Sequence, residues 1–330
     1  MHPLFIRYFP NQLIKIFAKP YVAGDNEDKV IKLARQIYLN NNFLSTLDVL
    51  GEDVKSYNDI NKFVNIYFDI VRKIKKETIY SDTYKQPSIS LKPSCFIISQ
   101  KDNKGNLLVD KMDWEYCFDN ILKVCNYAKQ NNVRVTVEME DRHWVDFTLA
   151  TYQKLLAQGY DNVGTVLQTR LYRSQDDIKI FDNKSRVRLV IGIYNEPAEF
   201  ALTDKNKMKD LMIDFSKILL EKGSFLEFAS HDEKYIKKFI SEVIIPMNIP
   251  TEKFEIQMLL GVPRFKLQQE LVNGNLLETL DRDKVYKHNK KINFRLYLPF
   301  SQNWNDALAY CRRRLIENPN IVLYGLKNII

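Results

Sequence analysis

Residues 133–191, VRVTVEMEDRHWVDFTLATYQKLLAQGYDNVGTVLQTRLYRSQDDIKIFDNKSRVRLVI, carry the pattern that decides the fold. Three short apolar runs stand in this stretch: Val133–Val137, Val163–Leu167 and Val187–Ile191. Segments of helical spacing separate them, first Thr148 to Leu156, then a short link bearing Ile178 and Ile180. Short runs rich in β-branched residues read as strands, and their alternation with helices argues for a parallel sheet.

The alternation continues on both sides. Before the stretch come a helix over Glu27–Leu39, a strand over Leu44–Leu50, and a helix whose one face holds Ile60, Phe63, Val64, Tyr67, Val71 and Ile74. A strand follows at Ile89–Lys92, set off by Pro87 and Pro93, and then a helix over Trp114–Tyr127. After the stretch, a helix bearing Met208, Leu211, Met212, Phe215, Ile218 and Leu219 leads into the strand Phe225–Phe228. Ile236, Phe239, Ile240 and Val243 lead into Phe254–Gln257, and a longer polar stretch read as helical leads into Phe294–Leu298. A final helix spans Trp304 to Asn318.

Eight strands joined by helices over roughly 250 residues suit a closed barrel better than an open sheet. No GxGxxG follows the first strand, as a doubly wound dinucleotide fold would require. The expected architecture is therefore α/β, a distorted (β/α)8 barrel over residues 44–330 preceded by a helical extension over residues 1–43.

Bulk properties bound the function. The chain has 330 residues, 45% hydrophobic and 27% charged, which is ordinary globular composition. Its apolar runs are too short to span a bilayer, and the N-terminus lacks the pattern of a secretory signal. Cys95, Cys117, Cys125 and Cys311 stand apart, without CxxC pairs, so a reducing, cytoplasmic setting is expected. The net charge of +8 comes from dispersed lysines rather than a basic tract interleaved with aromatics, so no nucleic-acid partner is expected. No His or Cys spacing suggests a metal, and no GxSxG suggests a serine hydrolase.

In a barrel of this kind chemistry gathers at the carboxyl ends of the strands. Those ends here carry Glu52, Lys92, Glu138 with Glu140 and Asp141, Gln168, Arg188 with Tyr194, Ser230-His231-Asp232, Gln257 and Tyr297. One polar residue at a strand end means little, whereas a ring of them on one face points to a site. The final helix adds Arg312-Arg313-Arg314. Successive helix positions diverge by about 100°, so two of the three at most can share one ligand, and the guanidinium fork suits a carboxylate. A solvated basic cluster near a helix end is the plainer reading of the triplet taken alone.

Taken together the segments resemble the proline dehydrogenase family, FAD-dependent barrels that oxidise L-proline to Δ1-pyrroline-5-carboxylate. The likeness runs through FAKPYVAG (Phe17–Gly24), TLDVLGE (Thr46–Glu52), SISLK (Ser88–Lys92), NVGTVLQTRLYR (Asn162–Arg173) and RLVIGIYNEP (Arg188–Pro197). It continues through FASHDE (Phe228–Glu233), FEIQMLLGVP (Phe254–Pro263), RLYLPF (Arg295–Phe300) and RRLIENPN (Arg313–Asn320). The resemblance implies that Arg313 and Arg314 clamp the substrate carboxylate from a last helix lying over the barrel mouth. Glu52 would pair with the first of them, with Lys92, Glu138, Tyr194 and Tyr297 lining the substrate site. Gln168, Arg188, Gly192, Ser230, His231, Gln257 and Glu317 fall on positions that contact FAD, and Arg188 would favour an anionic reduced flavin. The resemblance also implies a membrane quinone as electron acceptor, reached by peripheral contact at the inner membrane.

The chain departs from the family pattern RLVKGAY, having Ile191 for Lys and Ile193 for Ala. Glu138 stands for Asp, Ser230 for Thr, and Arg170 for a tyrosine. These departures allow a changed substrate such as hydroxyproline or another cyclic or N-alkyl amino acid. Two further readings stand beside the first: the same FAD barrel with the chemistry of methylenetetrahydrofolate reductases, and a non-catalytic barrel that binds a ligand or a lipid surface.

Overall fold

The computed structural model describes residues 10–12, 14, 19–51, 54–102, 107–302, 307–308 and 311–312. Eight strands close into one parallel barrel: β1 (Leu44–Val49), β2 (Ser88–Leu91), β3 (Val135–Val137), β4 (Val163–Gln168), β5 (Arg186–Val190), β6 (Phe225–Ala229), β7 (Phe254–Leu259) and β8 (Phe294–Phe300). Each strand pairs with its sequence neighbours, and β8 closes on β1 with Thr46 opposite Tyr297. The expected barrel and all its strands are thus present, with bounds shifted by a residue or two. A two-stranded antiparallel ribbon, Gln100–Lys101 with Leu107–Leu108, interrupts the link from β2 to the next helix and was not expected from the sequence.

The helices are α1 (Glu27–Asn41), α2 (Tyr57–Lys76), α3 (Lys111–Gln130), α4 (Val145–Ala157), α5 (Ser174–Asp177), α6 (Lys205–Glu221), α7 (Glu233–Phe239), α8 (Phe265–Asn273) and α9 (Asn275–Leu280). Local chemistry starts them where the sequence places a cap. Asn26, Ser56, Asp110, Asp204 and Asp232 each accept a backbone N–H of the first turn, and Asp110 with Asp113 forms a full capping box. The polar stretch before β8 divides into α8 and α9 at Gly274, whose φ of +86° ends one helix and starts the next.

Strand alternation sorts side chains into two environments. Leu47, Val49, Ile89, Leu91, Val135, Val137, Val187, Leu189, Leu226, Phe228, Ile256, Leu296 and Leu298 belong to one buried apolar cluster with the helices. The alternate positions are polar and mutually bonded: Thr46 to Ser88, Arg186 to Thr136 and Glu227, and Arg295 to Glu255. The lumen is therefore a charged network rather than the layered aliphatic filling usual for this architecture.

Helix α1 packs against β1, β8 and α2. Its Val30, Ile31, Ala34 and Ile37 join the main core, and Lys73 of α2 pairs with Asp28 at 2.5 Å. The preceding chain is tied to β8 as well, since Ala23 N–H donates to the Pro299 carbonyl at 2.7 Å.

Candidate active site

Two clusters of side chains meet at the carboxyl side of the barrel. The first centres on Glu138, the residue following β3. Its Oε1 accepts from the Ser90 hydroxyl, from the Arg188 guanidinium, and from the Tyr297 hydroxyl at 3.0 Å. Arg188 Nε donates to Gln257 Oε1 at 2.7 Å, and its guanidinium lies over the Tyr297 ring, 5.0 Å from the centroid. Gln257 in turn donates to Glu255 at 2.6 Å. Arg188, Gln257 and Tyr297 prove to stand within β5, β7 and β8, so they point into the lumen instead of closing strand ends.

The second cluster is the ion pair of Lys92, just after β2, with Asp48 of β1. Burial alone would pull the lysine down, but the Asp48 carboxylate holds it above its ordinary value, so Lys92 stays a cation. Arg188 follows the same logic: burial disfavours its charge, and Glu138 and Glu227 more than restore it. Burial, helped by the charges of Asp48 and Glu138, pushes the Tyr297 phenol well up, so it remains a hydrogen-bond donor.

Gln168, the last residue of β4, shows where a ligand fits. Its amide nitrogen donates to the carbonyls of Met139 at 3.1 Å and Glu140 at 2.9 Å. Its oxygen is buried without a hydrogen-bond partner among the described residues. That oxygen faces Gly192, which has a φ of +86°, and a Cβ there would lie 2.7 Å from it. An unpaired buried amide oxygen costs about 1–3 kcal/mol, so a donor from a bound ligand would relieve it. Beyond it, Ser230 Oγ accepts from Asp232 N–H at 3.2 Å, and His231 Nε2 accepts from Leu259 N–H at 2.8 Å. The second bond assigns the imidazole hydrogen to Nδ1.

An acceptor, a glycine that permits close approach, a buried arginine and a bonded histidine, on adjacent strands or just beyond their ends, fit a flat heterocycle with both N–H and carbonyl groups. Flavin has that chemistry.

Of the other residues expected here, Tyr194 lies four positions beyond β5, where its carbonyl accepts from Arg170. Glu140 is buried and accepts from Ser94 N–H at 2.8 Å and Ser94 Oγ at 2.7 Å. Arg312 donates to Asn11 at 2.8 Å, and Ala307 and Cys311 of the final helix are buried. Glu52, Arg313, Arg314 and Glu317 lie outside the described residues.

Sequence reading passed over Asp48, Ser90 and Glu227, together with a floor network below the site. There Arg134, Arg186, Arg295, Glu255 and Tyr84 interlock: Tyr84 donates to Glu255 at 2.6 Å, and its carbonyl accepts from Arg134 at 3.1 Å and Arg295 at 3.3 Å. The signal was present two residues back from each singled-out position, in R-V-R at 186–188 and E-I-Q at 255–257.

Comparison with known proteins agrees with this geometry. The family model "Proline dehydrogenase" matches residues 30–322. Proline dehydrogenase 1 of Bacillus subtilis subsp. natto is 28% identical over 318 residues, covering 96% of this chain and 91% of that protein. Proline dehydrogenase of Deinococcus radiodurans is 28% identical over 318 residues, covering 95% and 90%. A crystal structure of proline utilization A from Bdellovibrio bacteriovorus, inactivated by N-propargylglycine, superposes with a TM-score of 0.74 at 22% identity. It covers 92% of this chain but 32% of that longer one, and it supports the barrel fold. With a family match across most of its length and relatives aligned over nearly all of theirs, the chain belongs to the proline dehydrogenase family of flavin-dependent oxidoreductases.

Proposed function

We propose that the protein oxidises L-proline to Δ1-pyrroline-5-carboxylate with FAD as its cofactor, the first step of proline breakdown. The observation that carries this reading is the Gln168 oxygen, buried against Gly192 with no partner among the described residues, beside Arg188 on the neighbouring strand and the Gln257 that Arg188 bonds. When bound, FAD would supply the hydride acceptor for the substrate carbon next to nitrogen.

The chain's own residues do the positioning. Lys92, kept charged by Asp48, offers a cation to the substrate carboxylate. Arg313 and Arg314 complete the carboxylate clamp in this proposal, with Glu52 as partner of the first. The engagement of Arg312 with Asn11 supports that choice of pair. Glu138 acts as a hub: with Ser90, Arg188 and Tyr297 all donating to one oxygen, it fixes the tyrosine ring beside the substrate and the guanidinium beside the cofactor. Tyr194 closes the substrate side. Gln168, Gly192, Ser230, His231, Gln257 and Glu317 hold FAD. The substrate reacts with its amine unprotonated, since a protonated nitrogen has no electron pair to release.

Among the described residues no helix is long and apolar enough to cross a membrane. Electrons would leave to a quinone, with the cytoplasmic protein docking peripherally on the inner membrane. The net charge of +8 does not oppose an anionic surface.

Anaerobic titration of the FAD-loaded protein with L-proline, followed in the visible flavin band, tests the reading. Saturable bleaching supports it. Bound flavin that does not bleach excludes proline and directs the search to other cyclic amino acids, for which Ile193 at the mouth, 39% exposed, is the structural reason. The chemistry of methylenetetrahydrofolate reductases would appear instead as oxidation of a nicotinamide cofactor. Failure to take up flavin would favour a non-catalytic barrel.

A further inference from the structure

The segment from β5 to α6, residues 191–204, carries Gly192, Ile193 and Tyr194 yet has almost no regular structure of its own. An irregular segment of that length loses considerable conformational entropy when it is fixed, so the groups that fix it matter. Arg142, in the 3-10 turn after β3, binds both oxygens of Glu196. Its backbone N–H donates to Oε1 at 2.8 Å, and its guanidinium donates to Oε2 at 3.3 Å. The Glu196 side chain is 3% exposed, and the same guanidinium lies 4.8 Å from the Phe200 ring centroid.

The strand on the other side adds backbone ties. Leu202 N–H donates to the Arg170 carbonyl at 2.9 Å, Tyr172 N–H to Phe200 at 3.1 Å, and Leu171 bridges Ala201. The Arg170 guanidinium reaches the Tyr194 carbonyl. Beyond Tyr194 the ties to the β4 loop are these backbone pairings together with the Tyr172 hydroxyl, which donates to the Ala198 carbonyl at 3.1 Å. Among the described residues the Glu196 carboxylate, two residues after Tyr194, makes the hydrogen bonds that tie this segment to the β3 loop, the loop that supplies Glu138, Glu140 and Arg142.

We propose that Glu196 is a positioning residue: its two-oxygen bond to Arg142 sets where Gly192 and Tyr194 stand relative to Gln168, and thereby sets affinity for the cofactor and for the substrate. The proposal rests on the flavin-dependent reading above. Strand β5 itself is held by its ladders to β4 and β6, and neither Glu196 nor Arg142 belongs to the apolar core. Breaking the pair should therefore displace the loop while leaving the barrel folded.

The test compares Glu196→Gln, Arg142→Met and the double variant in the full chain. Apoprotein is titrated with FAD by flavin fluorescence quenching, apoprotein melting is recorded, and KM and kcat for L-proline are measured separately. Glu196→Gln should raise the FAD Kd by about tenfold, the worth of one charge-assisted hydrogen bond. The proline KM should rise with kcat nearly unchanged, and apoprotein melting should move little. The double variant should be no worse than the worse single one, because either change already removes the guanidinium–carboxylate bond and leaves the backbone one in place. Glu196→Asp, which keeps the charge, should recover part of the FAD affinity and covers the case in which the glutamine variant does not fold.

An FAD Kd within twofold of the parent, effects that add across the two positions, or loss of affinity only in step with loss of melting would each overturn the positioning role. A parent protein that takes no flavin would instead overturn the function on which it rests.

Discussion

Glu227 sits beside Arg188 from the neighbouring strand, its Oε2 3.4 Å from Arg188 Nε, while its Oε1 accepts from Arg186 at 2.5 Å. One buried carboxylate thus serves two arginines of β5, one belonging to the floor network and one to the site. This geometry couples barrel stability to the orientation of Arg188.

Glu227→Gln should destabilise the protein by about 3–5 kcal/mol, because it leaves buried guanidinium charge uncompensated. Burial would raise the Glu227 carboxyl, but Arg186 and Arg188 hold it well below the ordinary range. Its folded value is therefore lower than its unfolded value, so its stabilisation is complete above about pH 4.3 and is lost as pH falls through the folded value. Urea unfolding from pH 7 down to pH 3 should show a steep acid loss in the parent and a shallower one in the variant. Equal slopes would contradict the assignment. Glu255, lowered in the same direction by Arg295 against its own burial, keeps part of the slope in both.

Gly192→Ala places a methyl 2.7 Å from Gln168 Oε1 at a φ of +86°. The left-handed backbone costs a side chain about 1–2 kcal/mol, and the clash adds to it. The variant should melt lower and retain little flavin through purification. Full flavin content would mean that Gln168 does not face the cofactor.

Asp48→Asn removes the charge that keeps Lys92 protonated against its burial. The lysine value must then fall, so its cation is lost at a lower pH than in the parent. The KM for proline should rise earlier on the alkaline side, by about tenfold or more once Lys92 is neutral, the worth of a bond to a charged group. Coincident KM profiles between pH 7 and 10 would remove Lys92 from carboxylate binding.

Ile193 is 39% exposed, so Ile193→Ala should change stability by less than about 1 kcal/mol. Removing three carbons at the mouth should alter the ratio of kcat/KM between proline and hydroxyproline. An unchanged ratio would show that this side chain does not border the substrate.

The barrel was legible because its signals are local. The runs at 133–137, 163–167 and 187–191 announce strands by themselves, and caps such as Asn26, Ser56 and Asp110 announce helix starts. The ribbon of Gln100–Lys101 with Leu107–Leu108 was not legible, since two-residue strands carry no period. Arg188, Gln257 and Tyr297 are legible as polar residues of the barrel, but they stand within strands rather than at strand ends. Their alternation partners Arg186, Glu255 and Arg295 went unremarked because a charged residue inside a strand looks like an exposed one until the barrel is closed.

By itself, then, the sequence determined the order of elements, the parallel closed architecture and the residue types gathered at the mouth, because periodicity and capping act over a few residues. Tertiary structure alone decided which charges meet. Tyr297 donates to Glu138 across 159 residues of chain, Arg188 to Gln257 across 69, and Lys92 pairs with Asp48 across 44. Each partner comes from a different strand, so the pairing depends on barrel register and closure. It also depends on burial, which makes an unpaired charge costly enough that only one arrangement satisfies them all.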